Sequence, residues 1–137
     1  MFDALKISAS GLTAESTRLG VIANNLANID TTTTPQGGPY RREFVVLSAV
    51  PGSTGGPNPN IGQGVVVSAI LQDQSPLKTV YDPTSPLANA KGDVLYPNVH
   101  LATEMVDMID ATSAYQANSS AFTADKTMAL KALTLGA

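Results

Sequence analysis

Residues 19–34 are LGVIANNLANIDTTTT, and this stretch contains the predicted end of one helix and the start of the non-helical segment that follows it. Upstream of Asn28, leucines recur every seven residues with small or apolar residues at the intermediate steps, which predicts a long helix with a coiled-coil-like seam. The helix ends near Asn28 to Asp30, because the threonines that follow are β-branched and Pro35 disfavours a helical residue before it. We therefore expect a first helical segment over residues 1–30, packed through Leu5, Leu12, Leu19, Ile22, Leu26 and Ile29.

A second helical pattern fills residues 98–137. Mostly apolar residues follow each other at steps of four and three, Asn98 is placed to cap the start, and Gly136 is placed to close the end. Acidic residues come early and lysines late, as the helix dipole favours. We expect the seam of this second helix to contain Leu101, Met105, Met108, Tyr115, Phe122 and Leu133.

Residues 31–97 form a central region that holds nearly all of the proline and glycine. Two runs rich in β-branched residues, at 42–50 and 64–73, are separated by a Gly/Pro/Asn loop that we expect to be mobile, which predicts a long-looped β-hairpin. The stretch LKTVYDP, residues 77–83, predicts a further short extended piece. The predicted fold class is mainly α with a small β insertion, in which the long terminal helices pair as a coiled-coil-like bundle and form one core domain around the central hairpin region.

Composition excludes several classes of function. Only 14% of the residues are charged, and the net charge is −3 with lysines and arginines scattered along the chain, so we expect no nucleic-acid partner. The apolar runs are far shorter than the roughly 20 residues that cross a bilayer, so we expect no membrane span. Asp3 and Lys6 stand where a signal peptide would be apolar, so we expect no cleaved signal peptide.

Two stretches of helix lack the charges of a solvated face, residues 19–29 and residues 111–124. A surface helix normally carries charged residues opposite its apolar stripe. Because two helices cannot cover all of each other's sides, the remaining partner surfaces are expected to come from neighbouring copies of the chain. The asparagines at the end of the first helix have other interpretations: Asn25 or Asn28 is a left-handed helix cap, or a polar residue on the seam sets its register.

Features that would indicate an enzyme are weak. His100 is the only histidine, and a lone histidine at a helix start is more often solvated than catalytic. Glu104, Asp107 and Asp110 follow each other at steps of three and could hold a cation, but a helix N-terminus favours acidic residues for its own stability. The chain has no cysteine, and no nucleophile and base are placed together. We expect no catalytic residue, no cofactor and no metal.

Three separated motifs carry a resemblance to a known family. Residues 9–43, ASGLTAESTRLGVIANNLANIDTTTTPQGGPYRRE, resemble the N-terminal motif of bacterial flagellar rod and hook proteins, in which a leucine-rich helix ends in ANN-apolar-AN before a threonine-rich segment. Residues 80–99, VYDPTSPLANAKGDVLYPNV, and residues 104–133, EMVDMIDATSAYQANSSAFTADKTMALKAL, are similar to the corresponding segments of the proximal rod proteins of this family.

The resemblance implies a structural subunit of the flagellar basal-body rod, which transmits torque from motor to hook. It implies export through the flagellar export apparatus without a cleaved signal peptide, and helical assembly in the periplasm with copies of itself and other rod proteins. The resemblance implies that the predicted seam residues of both helices are subunit-interface residues. We assign Asn24, Asn25 and Asn28 to lateral hydrogen bonds between subunits. Arg41 and Arg42 either bind acidic residues of a neighbour or form a solvated pair. The alternatives are a coiled-coil adaptor or export partner of the flagellar apparatus, and a small hydrolase-like enzyme that depends on His100.

Overall fold

The structure, a computed structural model, describes residues 2–52 and 62–135. In chain order, two long helices flank a central region of two small antiparallel sheets, so the predicted mainly α architecture with a small β insertion is confirmed. Most of the predicted mobile loop, and the expected closing residue Gly136, lie outside the described residues. The elements in chain order are α1 (Phe2–Ala27), β1 (Glu43–Ala49), β2 (Val65–Gln72), β3 (Lys78–Tyr81), β4 (Asp93–Tyr96) and α2 (Leu101–Leu135).

The two helices lie side by side and run in opposite directions. Asn25, near the end of α1, bonds Glu104 in the first turn of α2, whereas Gly11 packs against Asn118 farther along. At about 1.5 Å per residue, α1 is about 39 Å long and α2 about 52 Å. Roughly the last two turns of α2 therefore extend beyond the described start of α1. Within the described residues, neither helix is apolar enough over a sufficient length to cross a membrane.

Half of the buried positions in the seam between the helices are small residues, and none is a predicted leucine. These buried positions are Ser8, Gly11, Ala14, Val21, Ile22 and Asn25 on α1, and Glu104 and Ala111 on α2. Small side chains let the two backbones approach closely, so the longer side chains are displaced to the flanks of the contact. The helical period was predicted correctly, and the buried face was not.

The predicted seam residues are accordingly divided. Ile22 is buried, and the other predicted seam residues of the N-terminal segment are half-buried, as are Met108 and Phe122 of α2. Leu101, Met105 and Leu133 are more than half exposed, and Tyr115 is 39% exposed. These last four residues are therefore largely uncovered within one chain. Their assignment to contacts between subunits stays a prediction.

Gly11 offers a direct test of the close approach. A Cβ at Gly11 would lie 2.8 Å from the Asn118 side chain, whereas a Cβ at Gly20 would meet nothing within 4 Å. We expect Gly20→Ala to raise the free energy of unfolding by about 0.5 to 1 kcal/mol, because alanine favours the helix. We expect Gly11→Ala to lower it by about 1 kcal/mol, because the Asn118 side chain must move out of the contact. Urea titration of the two purified variants measures both changes, and equal gains would contradict the tight contact.

The predicted hairpin is confirmed, and it is fastened to α1. Strands β1 and β2 pair antiparallel from Glu43↔Gln72 to Ala49↔Val65, with an irregularity between Val46 and Leu47. The Val65 amide donates a hydrogen bond of 3.1 Å to Ser10 Oγ of α1. Gly64 has a φ of +102°, and a Cβ there would collide with the same hydroxyl. Glycine is thus required where the hairpin crosses the helix.

A second ladder precedes α2. The predicted extended piece in residues 77–83 is strand β3, and it pairs antiparallel with β4, from Lys78↔Tyr96 to Tyr81↔Asp93. Sequence analysis did not identify β4. This ladder leads the chain through the buried Pro97 and Asn98 into the first turn of α2.

Candidate functional site

A cluster of polar side chains lies where the end of α1, the start of β1 and the start of α2 meet. We call it the junction cluster, and it consists of Asn25, Tyr40, Arg42, Glu104 and Asp107. Asn25 and Glu104 are fully buried. Buried polar groups of this kind are stable only when their hydrogen bonds are made within the protein.

Asn25 is fully hydrogen-bonded within its own chain. Its Oδ1 accepts hydrogen bonds from the Glu43 amide at 2.9 Å and from the Tyr40 hydroxyl at 2.9 Å. Its Nδ2 donates to the Glu43 carbonyl at 2.8 Å and to Glu104 Oε2 at 3.0 Å. Two donors and two acceptor positions are all that an asparagine amide has. The prediction of lateral hydrogen bonds to a neighbouring subunit is therefore wrong for Asn25, which instead joins α1 to β1 and α2.

Arg42 connects two acidic residues of α2. Its Nε donates to Glu104 Oε1 at 2.5 Å and its Nη2 donates to Asp107 Oδ2 at 2.8 Å. Burial acts to lower the pKa of Arg42, but the hydrogen bond and the charge of Glu104, with the charge of Asp107, outweigh it, so the net pKa is raised. Arg42 is therefore bound to acids of its own chain, so neither predicted alternative, an acidic partner on a neighbour or a solvated pair, describes it. Within residues 2–52 and 62–135, no group of three or more potential metal ligands comes together.

The other two asparagines make more exposed contacts. Asn24 Nδ2 donates to the Tyr40 hydroxyl at 3.1 Å, and Asn28 Nδ2 donates to the Asn24 carbonyl at 3.0 Å. Thr31 Oγ1 donates to Asn28 Oδ1 at 3.1 Å, which ties the turn after α1 back to the helix. No non-glycine residue of the described ranges has a positive φ, so the left-handed cap is excluded for Asn25 and Asn28. Lateral hydrogen bonds of Asn24 and Asn28 stay a prediction.

Asn98 connects the two sheets and does not cap α2. Its Oδ1 accepts a hydrogen bond of 2.8 Å from the Arg42 amide, and its Nδ2 donates to the Asp73 carbonyl at 3.1 Å and to Ser75 Oγ at 2.9 Å. The predicted cap is thus wrong, because the Asn98 side chain is instead hydrogen-bonded to residues next to the ends of β1 and β2. The carbonyl of His100 accepts the first helical hydrogen bond, from the Glu104 amide at 3.0 Å. The His100 side chain is exposed.

Tyr40 makes the junction cluster sensitive to alkaline pH. Burial, with the nearby charges of Glu43 and Glu104, raises the pKa of Tyr40 from 10.0 to about 12. A folded-state pKa above the unfolded value means that this contribution to stability is complete below about pH 10 and is lost as the pH rises through about 12. We expect the stability advantage of the wild type over Tyr40→Phe to shrink between pH 10 and pH 12. Urea titrations of both proteins across this range measure it, and a constant difference would contradict the environment described for the phenol.

On the side of α2 that faces away from α1, the exposed residues are mostly apolar or uncharged, and no other described part of the chain covers them. Among the residues of α2, only Glu104 and Ala111 are buried, and Ile109 is 63% exposed. Helices with apolar residues around their circumference are normally buried on all sides, and large exposed apolar surfaces usually mark contact sites. We call this surface the outer face of α2. Its exposed large apolar residues are Leu101, Met105, Val106, Ile109, Met128 and Leu130.

Comparison with known proteins gives matches at both ends and over the whole chain. The family model described as "Flagella basal body rod protein" matches residues 5–34, and that described as "Flagellar basal body rod FlgEFG protein C-terminal" matches residues 92–135. Similar relatives are each described as "Flagellar basal-body rod protein FlgC". That of Escherichia coli O6:H1 is 45% identical over 138 aligned residues, covering 99% of this chain and 98% of the relative. Those of Bacillus subtilis and Borreliella burgdorferi are 44% and 42% identical, each covering 98% of this chain and 97% of the relative.

Proposed function

This chain belongs to the FlgC family of flagellar basal-body rod proteins, and on that premise we propose that it assembles helically through its terminal helices into the proximal rod. The chain is a structural rod subunit of the flagellar basal body, and its family is not known for enzymes. Its proposed mechanical role is to transmit torque from the motor to the hook, in contact with copies of itself and with other rod proteins.

The observation that carries the proposal is the outer face of α2. The described residues leave most of this 35-residue helix without intramolecular cover, which favours another surface that covers it. Uncharged, small and hydroxyl-bearing side chains suit close helix packing among many copies, because they bring no charge that must be desolvated. Repeated heterologous contacts of this kind give an open helical assembly.

The proposed arrangement divides the chain into residues 1–30, 31–97 and 98–137. The two terminal segments form one core domain, paired as a coiled-coil-like unit, and the central segment carries the sheets. In support, α1 packs along α2, and the junction cluster attaches β1 to both helices. The proposed subunit contacts are the half-buried and exposed members of the predicted seam, together with the exposed Asn24 and its neighbour Asn28.

We further propose that the terminal helices become fully ordered only on assembly. Beyond Ala111, α2 has no buried residue among those described, so little apolar burial holds its distal part in an isolated chain. Helices with so little tertiary support are marginal in water. A loosely folded chain is compatible with passage through the narrow flagellar export apparatus without a cleaved signal peptide, and with assembly in the periplasm afterwards.

A charge on the outer face of α2 tests the proposed function. We expect Ile109→Glu to abolish swimming and to leave basal bodies without a complete rod, because a carboxylate would be buried without a partner at the subunit contact. In the isolated chain the side chain is exposed, so the free energy of unfolding should change by less than about 0.5 kcal/mol.

Ile109→Leu is the matched control, since it keeps an apolar side chain of the same volume. This strain should swim normally. Swimming of the Ile109→Glu strain, with rods of normal length in electron micrographs, would contradict the assignment of this face to subunit contacts.

A further inference from the structure

The β1–β2 hairpin is attached to α1 at two separated points. Near the end of α1, the Asn25 side chain bonds both the amide and the carbonyl of Glu43. Nearer the start of α1, Ser10 Oγ accepts a hydrogen bond from the Val65 amide. Asn25 and Ser10 are about 22 Å apart along the helix, at about 1.5 Å per residue. Helix α1 and the hairpin therefore form one unit.

The attachment of α2 to this unit is concentrated near the start of α2. The Arg42 side chain donates hydrogen bonds to Glu104 and Asp107. Beyond Ala111, none of the described residues of α2 is buried. We call residues 112–135 the distal part of α2.

The side chains of the distal part form their hydrogen bonds within α2 itself. Ser113, Asn118, Ser120, Thr123 and Thr127 each donate to the carbonyl four residues earlier. Bonds of this kind slightly destabilise a helix and often bend it. Within the described residues, no hydrogen bond or ion pair joins the distal part to another element. Packing alone therefore holds it against α1.

A buried oxygen without a partner lies along the same contact. Among the buried side-chain nitrogen and oxygen atoms in the described part of the chain, Glu15 Oε2 is the one that has no hydrogen-bonding partner. Arg18 Nη1 is 3.7 Å away, beyond hydrogen-bonding distance. On α1, Glu15 lies between Arg18, which is 3.7 Å from Asp107, and Gly11, which packs against Asn118. Glu15 is therefore level with the region of α2 where full burial ends.

Glu104 shows what a buried carboxylate requires in this helix pair. Its Oε1 accepts a hydrogen bond from Arg42, and its Oε2 accepts one from Asn25. In contrast, Glu15 Oε2 is removed from water and gains no hydrogen bond, which opposes the closed arrangement of the helices. Movement of the distal part away from α1 would let water bond this oxygen and would remove the penalty.

We propose that the distal part of α2 detaches from α1 in the free chain, and that Glu15 is the residue that favours this opening. The junction cluster is the fixed end, and α1 keeps its hairpin, so the opening is local. The inference rests on the proposed function for its purpose, since the detached helix becomes ordered when neighbouring subunits cover it.

Residue-resolved hydrogen exchange of the purified full chain tests the opening. We expect amides of the distal part to exchange at least about tenfold faster than those of residues 105–111, beside the junction cluster. Detachment predicts a step in exchange rate after Ala111, whereas simple fraying predicts a gradual rise toward the end of the helix.

Glu15→Met tests the role of the carboxylate, because it removes the buried acceptor and keeps a similar helix propensity. We expect exchange in the distal part to slow by about fivefold or more, and exchange in residues 105–111 to change by less than about twofold. Arg18 keeps the carboxylate of Asp107 beside it in this variant.

Lys6→Met is the matched control, since Lys6 is an exposed charged residue of the same helix with a similar helix propensity. It should change exchange in the distal part by less than about twofold. Distal amides as slow as those of residues 105–111, or a gradual rise without the step, would overturn the opening. Equal effects of Glu15→Met and Lys6→Met would overturn the role of Glu15.

These outcomes leave the rod function standing, because exchange is measured on the isolated chain and the rod function is tested in cells. If Glu15→Met is insoluble, Glu15→Gln replaces it. This variant keeps the shape of the side chain and removes its charge, and the same results decide.

Discussion

Replacing Arg42 by alanine is expected to lower the free energy of unfolding by about 3 to 5 kcal/mol. The substitution leaves Glu104 fully buried without its cation, and it also removes the bond to Asp107. A buried carboxylate without a counter-charge is among the costliest defects in a protein interior. Urea titration of the purified chain measures the loss.

Arg41→Ala is the matched control for this prediction. Arg41 is the neighbouring residue, and its contacts are two long hydrogen bonds to the carbonyls of Asp73 and Ser75, at 3.3 Å and 3.4 Å. We expect its removal to cost less than about 1 kcal/mol. Adding Glu104→Gln to Arg42→Ala should recover about 1 to 2 kcal/mol, because a neutral amide needs no counter-charge. Equal losses at positions 41 and 42 would contradict the described geometry.

Replacing Asn25 by alanine is the second substitution with a large expected effect, about 3 kcal/mol of lost stability. Both backbone polar groups of Glu43, the Tyr40 hydroxyl and Glu104 Oε2 lose a hydrogen-bonding partner at once. Each buried polar group left without a partner costs about 1 to 3 kcal/mol, although water entering the vacated space compensates in part. The purified variant should also lose amide protection at Glu43 in hydrogen exchange.

Asn24→Ala is the comparison for Asn25→Ala. Asn24 is the adjacent residue and it is exposed. Its side chain donates one hydrogen bond, to Tyr40, and accepts one, from Asn28. We expect a loss below about 1 kcal/mol for the isolated chain. If Asn25→Ala proves as mild as Asn24→Ala, the junction cluster does not hold β1 on the helices.

The sequence predicted the elements well because their signals are local. The heptad of leucines and the 4-3 spacing in the C-terminal part predicted two long helices, and β-branched runs on either side of a glycine-rich loop predicted the hairpin. Strand β4 is only four residues long, between Gly92 and Pro97, so its pattern was too short to identify. Its pairing with β3 depends on the register across an intervening loop.

The buried seam and the junction cluster were not predicted because they depend on distant residues. Asn25 bonds partners 18 and 79 positions away, and no local pattern in the sequence indicates Glu43 or Glu104 as its partner. Leucines at regular spacing predict the seam, whereas small residues, Gly11 and Ala111 among them, lie at the closest contact. The position of Asn98 before a helix predicts a cap, but its actual hydrogen bonds go to residues 23 to 56 positions away.

The junction cluster and the outer face of α2 have separate consequences for a rod subunit. The cluster fixes β1 to both helices through contacts inside one chain, so its variants should change the stability of the isolated protein. The outer face is exposed in one chain, so its variants should change assembly and leave that stability nearly unaltered. Measuring the free energy of unfolding of each purified variant, and the swimming of the strain that carries it, distinguishes the role of the junction cluster from that of the outer face of α2.

An in-frame deletion in the source bacterium, followed by electron microscopy of purified basal bodies, tests the central claim most directly. If the chain is a structural subunit of the proximal rod, the deleted cells do not swim, and their basal bodies retain rings but lack a completed rod and hook. Expression of the intact chain should restore both swimming and the rod. Swimming cells with complete rods would contradict the account.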